Sequence, residues 1–220
     1  MLKKFQYAVL ILVPFILSHC GYNNNDKQSP EKVKYSKELE QRGGFKNIIL
    51  GTNIKDLNLP NKTCNYQSEY IDGAFYDFKE ICNYTFSPNN KLDQIGSSYV
   101  KKISLTTIYD TIVEIIIDCL PDERLIEEMV LVYGDPVRQE ADYIYIEWES
   151  ESYILKLMRN SEKYWTDVTV GGHTFPDQKT RVFYEVEYLV RNAEERKENI
   201  IQANIRLIRK ENKENAIENF

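Results

Sequence analysis

The stretch CNYQSEYIDGAFYDFKEIC, residues 64–82, constrains the fold more than any other. Two runs containing tyrosine, phenylalanine and isoleucine meet at Asp72-Gly73, and polar residues alternate with them on both sides, which is the pattern of a β-hairpin. Cys64, Tyr66, Ser68 and Tyr70 share one face of the first strand; Ala74, Tyr76, Phe78 and Cys82 share one face of the second. Bringing those fuller faces together needs paired residue numbers with an even sum. That predicts a three-residue loop, Ile71-Asp72-Gly73, with Gly73 left-handed, and excludes a two-residue Asp72-Gly73 turn. In this register Cys64 and Cys82 lie diagonally on one face, as candidates for a disulfide. A lone hairpin is marginal in water, so the chain must supply further strands or a helix to cover it.

Further elements follow in order. Tyr99 to Thr107 and Thr111 to Asp118 form a second hairpin around Tyr109-Asp110, with Ile103, Leu105, Val113, Ile115 and Ile117 on its apolar side. Cys119 continues that side and is expected to be a buried free thiol. LPDERLIEEMVLVYGDP reads as a helix, with Pro121 at its first position, Asp122 and Glu123 at the positive end of its dipole, and Gly134 and Pro136 at its stop. Leu125, Ile126, Met129, Val130 and Tyr133 form its apolar stripe. DYIYIEWESESYILKLM gives a third hairpin, and Thr180 to Val190 a further strand. Ahead of all these, Asn47 to Leu50 read as a short strand, with Thr52 capping a helix of one or two turns that ends at Pro60. After Val190, Ile201, Ile205 and Ile208 stand at helical spacing in a highly charged tail, an amphipathic helix fraying into solvent. Mostly antiparallel hairpins with helices on one face make an α+β protein.

The chain has 220 residues, with 28 basic and 34 acidic side chains for a net charge of −6. That is one ordinary domain with appendages, and its acidic surface argues against nucleic acid as a partner. The N-terminus carries the address. Lys3 and Lys4 precede an apolar run from Phe5 to Leu17, the layout of a secretory signal, and the run is too short to span a bilayer. Leu17-Ser18-His19-Cys20-Gly21 resembles the lipobox of bacterial lipoproteins, with His19 standing where that family has Gly, Ala or Ser. The resemblance implies cleavage before Cys20, acylation of Cys20, and a membrane partner reached through the lipid anchor. Gly21 is not the Asp that retains one group of such proteins at the inner membrane, so the expected site is the outer membrane, facing the periplasm. The expected layout is a signal peptide at 1–19, a lipidated tether at 20–44, an α+β body at 45–190 and a C-terminal helix and tail at 191–220.

GTNIKDL followed by a hairpin, and the helix ending YGDP followed by a strand with Trp148, share a theme. This helix-then-hairpin order resembles small outer-membrane assembly lipoproteins of the SmpA/OmlA type and β-lactamase-inhibitor-like domains. The cover is residues 45–160, and the motif is structural, so no partner carries over.

Chemistry-bearing motifs are scarce. His173 in VGGHTFPD is the one histidine after position 19, and neither a zinc pattern, a CxxC nor a nucleophile elbow occurs. No metal or cofactor is expected. Sixteen tyrosines and two tryptophans are more suggestive. Tyr143 and Tyr145 alternate onto the face opposite Ile144, Ile146 and Trp148, so Tyr143, Tyr145, Trp165 and His173 are the candidate binding surface, unless a packed layer covers it. The expected function is a non-enzymatic envelope module that binds another envelope protein. The alternative is a hydrolase or carbohydrate-acting protein using dispersed carboxylates.

Overall fold

The computed structural model describes residues 35–59, 63–140, 144–170 and 173–218. The signal segment, Cys20, the first part of the tether, Pro60 and Tyr143 lie outside these residues.

The described chain begins with helix α1 (Lys37–Arg42), inside the segment expected to be a tether. Ser36 Oγ caps it by accepting the Leu39 N–H at 3.3 Å, and Gly43 ends it in a left-handed conformation, φ 53°. Leu39 is fully buried, the Ser36 N–H donates to the Glu149 carbonyl at 2.7 Å, and Glu40 accepts from Ser152 Oγ at 2.6 Å. One buried leucine and two anchoring hydrogen bonds dock a stretch whose composition looked too polar to pack.

A tiny hairpin follows, β1 (Gly44–Phe45) with β2 (Ile48–Ile49). A Cβ on Gly44 would stand 2.3 Å from the Ile48 carbonyl oxygen, so only glycine fits there. The next turn is a short 3-10 helix, Ile54–Asp56, capped by Asn53 rather than Thr52. Thr52 instead donates its hydroxyl back to the Ile49 carbonyl at 2.7 Å.

The remaining strands are β3 (Asn65–Ile71), β4 (Ala74–Phe86), β5 (Gln94–Ile95), β6 (Ser98–Ile108), β7 (Thr111–Cys119), β8 (Arg138–Glu140), β9 (Tyr145–Glu149), β10 (Tyr153–Val170) and β11 (His173–Val190). They pair antiparallel in the order β3-β4-β6-β7-β11-β10-β9-β8, with β5 attached to β6. Strand β11 therefore returns to the middle of the sheet, beside β7, after the chain has built the β8-β9-β10 side.

The β3–β4 turn corrects the expected register. Ile71 pairs with Ala74 across a two-residue Asp72-Gly73 turn, both residues having positive φ (49° and 97°). A register shift between Tyr66 and Gln67 then moves the partner of Tyr66 to Cys82. The even-sum register does not hold along the whole hairpin because the ladder is broken between Tyr66 and Gln67, so the turn and the disulfide end take different registers. Cys64 and Cys82 are bonded, with Cα atoms 5.6 Å apart.

A second irregularity, between Thr106 and Thr107 on β6, reassigns Val113. Ile112, Ile115, Ile117 and Cys119 join one apolar cluster with Ile103 and Leu105, while Val113 joins Ile81, Ile108 and Leu189 on the other side. Tyr184, Val186 and Tyr188 of β11 belong to the first cluster and Leu189 to the second, as alternation requires.

Two helices complete the body. Helix α2 (Glu123–Tyr133) is capped by Asp122, whose carboxylate accepts the Arg124 N–H at 3.0 Å, so Pro121 precedes the helix instead of opening it. Leu125, Met129 and Tyr133 are buried in the first cluster, and the fully buried Trp148 donates its indole N–H to the Gly134 carbonyl at 2.8 Å. Helix α3 (Ala193–Glu218) sets Ala193, Ile200 and Ile201 against the second cluster. The helices thus lie on both sides of the sheet, not on one, because the displaced Val113 together with Ile81, Ile108 and Leu189 makes the opposite face apolar enough to dock α3. No helix among the described residues is long and apolar enough to cross a membrane.

Candidate functional site

The largest departure from the sequence reading is the β10–β11 hairpin. Both strands run 18 residues in one continuous register, from Tyr153↔Val190 to Val170↔His173. Strand β9 accompanies β10 only to Met158, and β7 accompanies β11 only to Tyr184. Beyond those points the two strands continue as a projecting ribbon, and at about 3.3 Å per residue its free length is roughly 40 Å. Residues 173–181 are all exposed.

His173, expected in a loop, is the first residue of β11 and is exposed, with its ring 6.4 Å from that of Phe175. Trp165 is 67% exposed and Phe175 56%. Register separates them. Trp165 pairs with Gln178, and Lys163 and Asp167 share its face. Tyr164, Phe175 and His173 occupy the opposite face, where Arg181 pairs with Glu162 at 3.0 Å. The structure therefore gathers Trp165 and His173 on one ribbon but on different sides of it.

Tyr145 is not part of this ribbon. It sits on β9, half-buried, with its hydroxyl donating to the Glu147 carboxylate and the Arg138 guanidinium 5.1 Å from its ring centre. Burial, together with the Glu147 acceptor, pushes its phenol well above the ordinary range. Its aromatic face is covered from within the chain.

Sequence reading overlooked Tyr164 and Phe175 and ended β10 at Met158. The signal was present: YWTDVTV and HTFPD are β-forming runs on either side of a Gly-Gly pair, a hairpin signal in sequence.

Several recesses line the described body, and two of them bear on the candidate chemistry. One, of 320 Å³, lies between α1, the β1–β2 hairpin and α2, and is lined by Arg42, Phe45, Lys46, Met129, Tyr133 and Tyr188. At its edge the Tyr133 and Tyr188 hydroxyls are 3.2 Å apart, and burial raises both phenols. The other, of 890 Å³, is an open groove at the root of the ribbon, lined by Thr85, Lys102, Asp118, Glu162 and Arg181. Its carboxylates are each paired with a cation, Asp118 with Lys102 at 2.7 Å and Glu162 with Arg181 at 3.0 Å.

A third cluster is sealed beneath α3. Glu114 accepts from Thr106 Oγ1 at 2.5 Å and lies 3.5 Å from Lys197 of α3, while Lys156 and Glu187 pair at 2.8 Å. Burial and the neighbouring Glu114 carboxyl raise Glu187 above the usual carboxylate range. The Lys197–Glu114 pair ties α3 to the sheet, while Lys156–Glu187 joins β10 to β11 beside it. No cluster of three or more metal-ligating side chains occurs among the described residues.

The geometry defines an antiparallel sheet protein with exposed aromatic groups on both the β3–β4 hairpin (Tyr66, Tyr70, Phe75) and the projecting β10–β11 ribbon (Tyr164, Trp165, Phe175). Compared with family profiles, curated proteins and solved structures, the chain matches none.

Proposed function

We propose that this protein is a lipid-tethered binding module of the cell envelope, held through Cys20 at the outer membrane facing the periplasm, and that it contacts another envelope protein through the β10–β11 ribbon. The observation that carries the reading is the ribbon itself: Trp165, Tyr164 and Phe175 stand on a strand pair that runs past its neighbours, outside both apolar clusters. The Cys64–Cys82 bond supports an oxidising compartment. Because α1 belongs to the body, the chain between Cys20 and Ser36 is shorter than a tether reaching Gly44; about 15 residues span at most roughly 50 Å.

Two measurements test the reading. Labelling with a fatty-acid analogue is expected to mark the wild type and not Cys20→Ser; an unlabelled wild type removes the anchor. A photo-crosslinking residue at position 165 or 175 is expected to capture an envelope protein that the same probe at Leu131 on α2 does not. Equal capture from all three positions removes the ribbon as the contact surface.

A further inference from the structure

We propose that the outer edge of β10 pairs with the same edge of a second copy of this chain, joining two ribbons into a four-stranded antiparallel sheet with Trp165 on the two-fold axis. Pairing at the edge does not depend on the Cys20 anchor, and it brings Trp165, one of the envelope-contact residues, beside its own copy.

Three observations lead to it. First, the edge is open and correctly phased. The Arg159 N–H points away from β11, donating to the Ile144 carbonyl at 2.9 Å. The β10–β11 register runs unbroken to Val170, so the backbone groups of Lys163, Trp165, Asp167 and Thr169 point the same way, with no described strand beside them. Second, the two edges of the ribbon differ. Pro176 lies in β11 and lacks a donor, which guards that edge against pairing; β10 carries no proline between Tyr153 and Val170. An unguarded strand of this length, exposed on a two-stranded ribbon, is the part of the molecule that most lacks a partner.

Third, the edge is complementary to itself. On the Trp165 face, Lys163 and Asp167 flank the tryptophan symmetrically, and their partners across the ribbon are the uncharged Thr180 and Pro176. Among the described residues neither makes an ion pair within the chain, unlike Glu162 and Arg181 on the other face. Antiparallel pairing about Trp165 sets each Lys163 directly opposite Asp167 of the second copy and each Trp165 beside its counterpart. All of these are outward-pointing residues, so they fall at hydrogen-bonded positions of the new ladder, about ten bonds over residues 161–169. Moving the register by two residues in either direction loses both charge pairs. A foreign strand would also satisfy the backbone, but nothing would then account for the Lys-Trp-Asp symmetry.

The test uses the full chain with Cys20→Ser, in mild detergent, so that no linkage through Cys20 contributes. Light scattering is expected to give twice the 26.0 kDa chain mass, with dissociation on dilution. Lys163→Asp alone, or Asp167→Lys alone, places like charges opposite each other twice and is expected to weaken dimerisation roughly 10-fold or more. The double exchange Lys163→Asp with Asp167→Lys restores opposite charges at both positions and is expected to recover the wild-type constant. Recovery also shows that the single variants fold. A monomer at the highest concentration reached, or a dimer that neither single reversal weakens, or a double exchange that fails to recover while its circular dichroism is unchanged, overturns the proposal.

Discussion

Cys119 lies fully buried on β7, its thiol directed at the Tyr184 carbonyl 3.5 Å away. Burial pushes the thiol up to about 11. The unfolded thiol loses its proton near pH 8.5, so between there and the folded value the unfolded chain sheds a proton that the folded chain keeps. Stability from this group is therefore complete below pH 8.5 and falls as pH rises towards 11. Denaturant melts of Cys119→Ala are expected to show a flatter alkaline limb than wild type, and a thiol reagent at pH 8 is expected to label Cys119 only after unfolding. Rapid labelling of the native protein would contradict the burial. The fate of this cysteine was legible from alternation with Ile115 and Ile117 alone. That of Val113 was not, because the β6 irregularity that turns it to the other face leaves no mark in the hydrophobic pattern.

At the scale of elements, the hairpin β3–β4 forms one edge of the sheet and is stapled by the Cys64–Cys82 bond across 18 residues of sequence. Closing a loop of that size restricts the unfolded chain by about 3 kcal/mol. Cys64→Ser together with Cys82→Ser is expected to lower the unfolding free energy by about that amount in a urea titration, with hydrogen exchange accelerated first in β3. An unchanged midpoint would mean that the edge is held by other contacts. Helix α2 shows how an element is legible when local chemistry marks both ends: Asp122 and Gly134 bound it, and its stripe of Leu125, Met129 and Tyr133 reaches the core. Helix α1 shows the reverse. Six residues with a single buried leucine carry almost no periodic signal, and its position depends on Glu149 and Ser152, more than 100 residues away in the chain.

For the whole molecule, the body and the ribbon divide the work. The apolar clusters use β10 only through Leu157 and β11 only from Tyr184 onward, so the distal ribbon adds exposed surface without adding core. Replacing residues 162–181 by an Asn-Gly turn between the paired Ser161 and Val182 is expected to leave the melting temperature within about 4 °C, the shift that about 1 kcal/mol causes in a chain of this size. The same variant is expected to lose dimerisation and envelope contacts together. A melting temperature lower by more than 10 °C would assign the ribbon a structural part in the body instead.

Local units were legible in the residues themselves: the cores of the longer strands, the neighbourhood of the turns near Asp72-Gly73 and Tyr109-Asp110, the body and stop of α2, and Cys119 packing inside, but not the two-residue form of the first turn or the start of α2. Those follow from side-chain alternation, turn residues and caps, all of which act over a few positions. Long-range contacts set which face each helix covers, the docking of α1 on the body, and how far β10 and β11 outrun their neighbours. These depend on where ladders shift register and where flanking strands stop, and such limits are set by partners distant in sequence. The ribbon is the clearest case: its residues are β-forming in sequence, but the absence of a neighbouring strand beside Trp165 among the described residues is a property of β7 and β9, not of the ribbon.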